Sequence, residues 1–128
     1  MNVIWTNGCF DVLHRGHIEL FKYAKSLGTH LVVGVDTDER VKASKGSGRP
    51  FNNLQDRVAI LSAISYIDKV CVFGSDNELE EQILANNANT IVVGSDYKNK
   101  RVIGSELVET VDFFERISDY STSKILAG

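Results

Sequence analysis

Residues 5–25, WTNGCFDVLHRGHIELFKYAK, decide how the chain reads. Val3 to Trp5, at their head, are apolar and predict a strand. The strand is expected to break at Asn7-Gly8, where glycine permits a tight turn and close approach of a ligand to the backbone. From Ile18 the spacing predicts a helix, with Leu20, Phe21, Ala24 and Leu27 on one face and Gly28 as its stop. Strand, glycine turn and helix start, in that order, make an anion site. Backbone N–H groups and the positive end of the helix dipole point at the same spot.

His14 and His17 fall in this turn with Gly16 between them, leaving room for a phosphate against the main chain. Three residues apart, both can face one ligand if the helix begins near Gly16. Imidazole donates hydrogen bonds and can carry charge near pH 7, which suits a phosphate whose charge grows in a transition state. The spacing alone leaves two other readings open: a metal pair with Cys9, or two ordinary surface histidines.

Working outward, apolar runs at 30–35, 70–73 and 90–93 predict three more strands. A fifth at 111–114 is weakened by Asp112. Helices are expected at 54–64, where Leu54, Val58, Leu61 and Ile64 share a face, at 78–86, and briefly from Ser121. Strand and helix alternate, so the fold class is α/β: a doubly wound parallel sheet of about five strands with helices on both faces. Ligands of such sheets bind beyond the carboxyl ends of the strands. That rule gathers 7–17, 36–38, 74–76 and 94–97 at one rim, with Thr6 and Asp36 at the strand ends.

The 128 residues suit one domain, 1–128. With 14 basic and 17 acidic residues the net charge is −3, which leaves no basic footprint for nucleic acid. Cys9 and Cys71 are far apart and suggest a reducing cytoplasm rather than a disulfide framework. No signal peptide and no membrane span are expected.

The connection 37–53 carries Lys42, Lys45, Arg49 and the only proline, Pro50, around Ser44, Gly46, Ser47 and Gly48. It reads as a mobile basic lid that neutralises a triphosphate, or else as a solvated loop. Arg57 follows just inside the next helix, where Asp56-Arg57 is alternatively a surface pair. At Gly94-Ser95-Asp96-Tyr97 the backbone can read a base edge while Tyr97 packs nearby; a plain β-turn is the other reading. Ser121, Thr122 and Ser123 cap the last helix and offer hydroxyls and N–H groups to phosphate oxygens, with Arg116 a further candidate contact.

Gly8-Cys9-Phe10-Asp11 followed by His14-Arg15-Gly16-His17 resembles the signature of the HxGH nucleotidyltransferases, the cytidylyltransferase-like superfamily with its Rossmann-like sheet. Lys45-Gly46, Arg49-Pro50, Gln55-Asp56-Arg57, the segment 93–98, Ile103-Gly104-Ser105 and Ser121-Thr122-Ser123 extend the likeness through nearly the whole chain. They are most similar to the nucleotidyltransferase domain of bacterial ADP-heptose synthases. The length and the terminal Ser-Thr-Ser-Lys also resemble glycerol-3-phosphate cytidylyltransferases, which use CTP. Two departures stand out: Ser95 follows Gly94 where the heptose group often has a second glycine, and no sugar kinase domain is present.

The resemblance implies transfer of a nucleotidyl group from a nucleoside triphosphate to a sugar or polyol phosphate, with release of pyrophosphate. It implies His14, His17 and Lys45 as catalytic residues, and backbone contacts to the nucleotide from Gly8, Cys9 and Phe10 beside Thr6, Asn7 and Gly16. Arg57 and Arg116 would join the phosphate contacts, Ser121, Thr122 and Ser123 would hold the β/γ end, and Gly94, Asp96 and Tyr97 would face the base. Asp11 and Asp36 become candidates for the acceptor's hydroxyls. Mg²⁺ is expected with the triphosphate, and a homodimer is the usual state of such relatives. A non-catalytic nucleotide-binding sensor and a redox or metal protein built on Cys9 are the competing classes.

Overall fold

The computed structural model describes residues 2–115. Five strands form one sheet in the order β3-β2-β1-β4-β5: β1 (Val3–Gly8), β2 (His30–Asp36), β3 (Lys69–Phe73), β4 (Thr90–Gly94) and β5 (Thr110–Phe114). Every pairing is parallel. The order reverses direction between β1 and β4, as in Rossmann-like sheets, and a crevice opens at that switch point.

Alternation along the strands sorts the core onto two faces. Ile4, Leu31, Val33 and Val35 point to one side and pack with Phe21 and Ala24 of α1 (Arg15–Ser26) and Leu61 of the α3 helix, Leu54–Ser62. Val3, Trp5, Val32 and Ile91 point to the other and pack with Leu79 and Ile83 of the α4 helix, Asp76–Ala85. The sheet is therefore covered on both faces, which is why its strands read as nearly unbroken apolar runs.

Three expectations are corrected. β1 does not break at Asn7-Gly8 but runs through them, because both pair with Gly34 and Val35 of β2. The left-handed residue of this turn is Phe10, with φ 46°, rather than the glycine expected to make it. The first half of the supposed loop 37–53 is a helix, α2 (Asp38–Lys45). Thr37 caps it by accepting from Arg40 N–H, Asp38 and Glu39 sit in its first turn, and Lys42 and Lys45 sit in its last. Those charges complement the dipole, and Gly46 ends the helix with φ 102°.

Candidate active site

A cavity of about 680 Å³ lies at the carboxyl ends of β1, β2, β3 and β4. Its floor is Thr6, Asn7, Gly8 and Cys9 with Phe73 and Leu79. One wall is Asp36 together with Arg40, Ala43, Ser44 and Lys45 of α2. The opposite wall is Val93, Gly94, Tyr97, Arg101, Val102 and Ile103. The volume falls in the range of small-ligand sites. Two of the floor groups are fixed by bonds within the sheet. Trp5 Nε1 donates to Asn7 Oδ1 at 2.9 Å, and Thr6 Oγ1 donates to the Val92 carbonyl at 2.8 Å.

His14 and His17 begin α1 as a reciprocal capping box. Gly16 N–H donates to His14 Nδ1 at 3.0 Å, and His14 N–H donates to His17 Nδ1 at 3.2 Å. Their rings lie 3.9 Å apart, and the His17 ring meets Phe10 edge-on at 5.6 Å. Because each Nδ1 accepts a backbone N–H, the neutral tautomer that fits carries its proton on Nε2. The spacing read as a ligand pair thus has a structural use as well: it is the S/T-x-x-E capping pattern rewritten in imidazoles. Neither ring is among the cavity's lining side chains; the two rings face each other, and His17 also meets Phe10.

Asp11 and Arg57 are not on the cavity wall. Each is 1% exposed. The Asp11 carboxylate accepts from Arg49 Nε at 2.8 Å, Phe51 N–H at 2.7 Å and Asn52 N–H at 2.8 Å, which leaves no open face for an acceptor hydroxyl. Burial pushes this carboxyl up, but the two N–H donors and Arg49 together outweigh it and hold it below the ordinary range. Asn52 Nδ2 also donates to the Asp11 carbonyl at 2.7 Å.

Arg57, expected at the phosphates or in a surface pair with Asp56, is a buried hub. It donates to the carbonyls of Asn52 (3.1 Å), Cys9 (2.9 Å) and Asp36 (2.7 Å) and to the Asp38 carboxylate (2.6 Å). The left-handed Phe10 between these anchors costs about 1–2 kcal/mol. Arg49 Nη2 is buried without a hydrogen-bond partner among the described residues.

Asp36 does reach the cavity. Burial raises its carboxyl above the usual value, against the opposing pull of Arg40, Arg57 and Lys45. Arg40 Nε lies 3.4 Å from its Oδ1, while Arg40 Nη2 bonds Asp76 at 2.7 Å and its guanidinium covers the Phe73 ring. Lys45 and Tyr97 line opposite walls, and Gly94 lies beside Tyr97. Asp96 is not a lining residue; its Oδ1 would lie 2.5 Å from a Cβ at position 94, so a side chain there would make the Asp96 carboxylate move aside. Phe10 and Gly16 are also away from the lining. Arg116, Ser121, Thr122 and Ser123 lie outside the described residues, as does the short helix expected from Ser121.

Arg40, Ser44 and Arg101 were missed in the sequence. The first two sit on α2, and a segment read as loop has no face to assign. Arg57 had a usable signal: it stands three residues after Leu54 and four before Leu61, on the buried face of α3.

A metal centre built by the protein alone has no support in this arrangement: among the described residues no group of three or more His, Cys, Asp or Glu side chains converges. Asp36 is the one carboxylate among the described lining residues, a hard oxygen donor of the kind Mg²⁺ takes. No helix among the described residues is long and apolar enough to cross a membrane.

A family model described as cytidylyltransferase-like matches residues 5–127. Over 124 residues the chain is 44% identical to the bifunctional protein HldE of Helicobacter pylori, covering 97% of this chain and 27% of that protein. It is 40% identical to the bifunctional protein HldE of Campylobacter concisus, covering 97% and 26%. The chain thus spans about a quarter of the length of these curated relatives. The crystal structure of a lipopolysaccharide core biosynthesis protein from Thermoplasma volcanium superposes with a TM-score of 0.71 at 28% identity, covering 94% of this chain and 99% of that one. Pantothenate synthetase from Thermus thermophilus shares the fold, with a TM-score of 0.69 at 13% identity over 98% and 61% of the two chains.

Proposed function

The chain belongs to the cytidylyltransferase-like family, and on that premise we propose that it is a nucleotidyltransferase joining a nucleoside triphosphate to a phosphorylated sugar. The substrates we assign are ATP and D-glycero-D-manno-heptose 1-phosphate, and the products ADP-heptose and pyrophosphate. The observation that carries the reading is the convergence of Lys45 and the 6–9 floor on one cavity at the sheet's switch point. The 40–44% identity to HldE proteins favours the heptose acceptor over glycerol 3-phosphate. The product would feed lipopolysaccharide or a related glycan, in keeping with the Thermoplasma neighbour.

In the mechanism an acceptor phosphate oxygen attacks the α-phosphorus while pyrophosphate departs in line, so the protein's work is positioning and charge stabilisation. His14 and His17 offer Nε2–H donors to oxygens that gain charge; the capping box fixes that tautomer. Lys45 neutralises the phosphates from the α2 wall, and Asp36 receives acceptor hydroxyls. Asp36 is also the lining carboxylate that would hold Mg²⁺, which would supply screening of the phosphate charge when bound. Tyr97 and Gly94 border the space for the base.

The same proposal includes a homodimer and a cytoplasmic setting. Ile60 of α3 and Val72 of the edge strand β3 are exposed apolar side chains, and both cysteines are free thiols. Sedimentation of Ile60→Asp should show a monomer where the parent chain is a dimer. The function is tested by a matrix of ATP and CTP against heptose 1-phosphate and glycerol 3-phosphate, read as pyrophosphate release. ATP with the heptose should dominate; a preference for CTP with glycerol 3-phosphate would reverse the assignment.

A further inference from the structure

Four observations converge on the Cys9-Phe10-Asp11 turn. Phe10, a bulky residue, has φ 46°. On one side of it Arg57 Nη1 holds the Cys9 carbonyl at 2.9 Å. On the other side the Asp11 carboxylate is held by Arg49 and by the Phe51 and Asn52 N–H groups. Asn52 Nδ2 takes the Asp11 carbonyl as well. All of these partners come from 49–57, the segment that follows α2 and its Lys45.

We infer that Arg57, Asp11 and Asn52 are positioning residues of this same site, holding the turn in its left-handed conformation so that the Phe10 N–H, just behind the lining residue Cys9, points away from Arg57 and toward a ligand seated on the floor. The peptide after Cys9 is planar and trans, so Phe10 N–H lies antiparallel to the Cys9 carbonyl. With that carbonyl drawn toward buried Arg57, the N–H is turned the other way. A strained aromatic residue persists only where its surroundings over-determine it, and here it is braced from both flanks. The bracing segment is continuous with the α2 wall, so a shift of α2 that carried 49–53 would re-aim the same donor. The ligand identity rests on the proposed function; the conformational claim does not.

Two readouts test it in ¹⁵N-labelled chain carrying Arg57→Lys, Asp11→Asn or Asn52→Ala. The first is the strong intraresidue Overhauser effect between amide and Hα protons that a left-handed Phe10 gives. It should weaken in each folded variant while α4 residues keep their signals. The second is the ATP dissociation constant, which should rise about ten- to a hundredfold in Arg57→Lys and Asp11→Asn, the usual penalty of a misplaced contact. Asn52 is only partly buried, so Asn52→Ala carries the test if the buried-charge variants do not fold. Folded variants that lose stability yet keep both the Phe10 signal and the ATP affinity overturn the inference. A parent chain that binds neither ATP nor CTP would overturn the proposed function, and the Phe10 signal would still decide the conformational claim.

Discussion

On the β1–β2 side of the cavity, Arg57 alone makes four hydrogen bonds that tie together three segments, and Asp11 accepts three more at 1% exposure. On the β4–β5 side, Tyr97 is 44% exposed and Arg101 approaches Glu106 only at 3.7 Å. That side is shaped mostly by short backbone turns such as Lys98 N–H to the Ser95 carbonyl and Leu107 N–H to the Gly104 carbonyl. The first region is cross-linked through buried charge, and such groups are costly to unpair. On the second, the exposed Tyr97 and Arg101 can change without disturbing the core, whereas Val102 and Ile103 pack against it. Chemistry that demands fixed donors belongs on the first, and discrimination between ligands on the second.

The largest effect should come from removing the hub. Arg57→Met leaves three carbonyls unbonded and one carboxylate without its cation, and should cost about 3–5 kcal/mol in urea unfolding. A loss below about 1 kcal/mol would place the strength of this side elsewhere. Next, His17→Ala should lower kcat by about 10²–10³, the penalty of losing one charge-stabilising donor. Its cap contributes about 1 kcal/mol to stability, so the variant should remain folded. Near-normal turnover by folded His17→Ala protein would refute its catalytic role.

The acid limb sharpens the contrast further. The Asp11 carboxyl titrates below its unfolded value of 3.8, so its contribution is fully present above that pH and is lost as pH falls through the folded pKa. Asp11→Asn should therefore flatten the fall of Tm under acid conditions relative to the parent chain. Part of the slope will survive, because Asp68 is also held low: burial raises it, but Lys25 and the Leu31 N–H outweigh that. The smallest effect is expected across the cavity. Arg101→Ala should raise KM for the triphosphate a few-fold, leave kcat nearly unchanged and shift stability by less than about 0.5 kcal/mol. A large loss of stability there would erase the distinction between the walls.

What the sequence made legible follows from range. Apolar runs announced the five strands, and the sheet's rim followed from topology, so Asn7, Gly8, Cys9, Asp36, Gly94 and Tyr97 do meet at one cavity, while 10–17 and 74–76 stay off its lining. Local capping chemistry marked α2, but Ser44 and the glycines at 46 and 48 drew attention to the loop instead. The surroundings of Asp11 and Arg57 were not legible because all but one of their partners lie 19 to 48 residues away in sequence. Periodicity reports which face a residue occupies; it does not report which distant carbonyl a buried guanidinium will find. The histidines show a third kind of limit, since one spacing suits a cap or a ligand contact, and the coordinates show the cap.

The four-way attachment of Arg57 bears on how relatives of this chain can be recombined. Asp38 with Arg57, and Asp11 with Arg49, have to be exchanged together, since replacing one member alone would strand a buried charge; the other three partners of Arg57 are backbone carbonyls that any residue supplies. The stretch 97–103 carries no such debt. Chimeras that transplant it between paralogues should fold at once and display altered ligand preference, which makes it the natural place for laboratory evolution to begin.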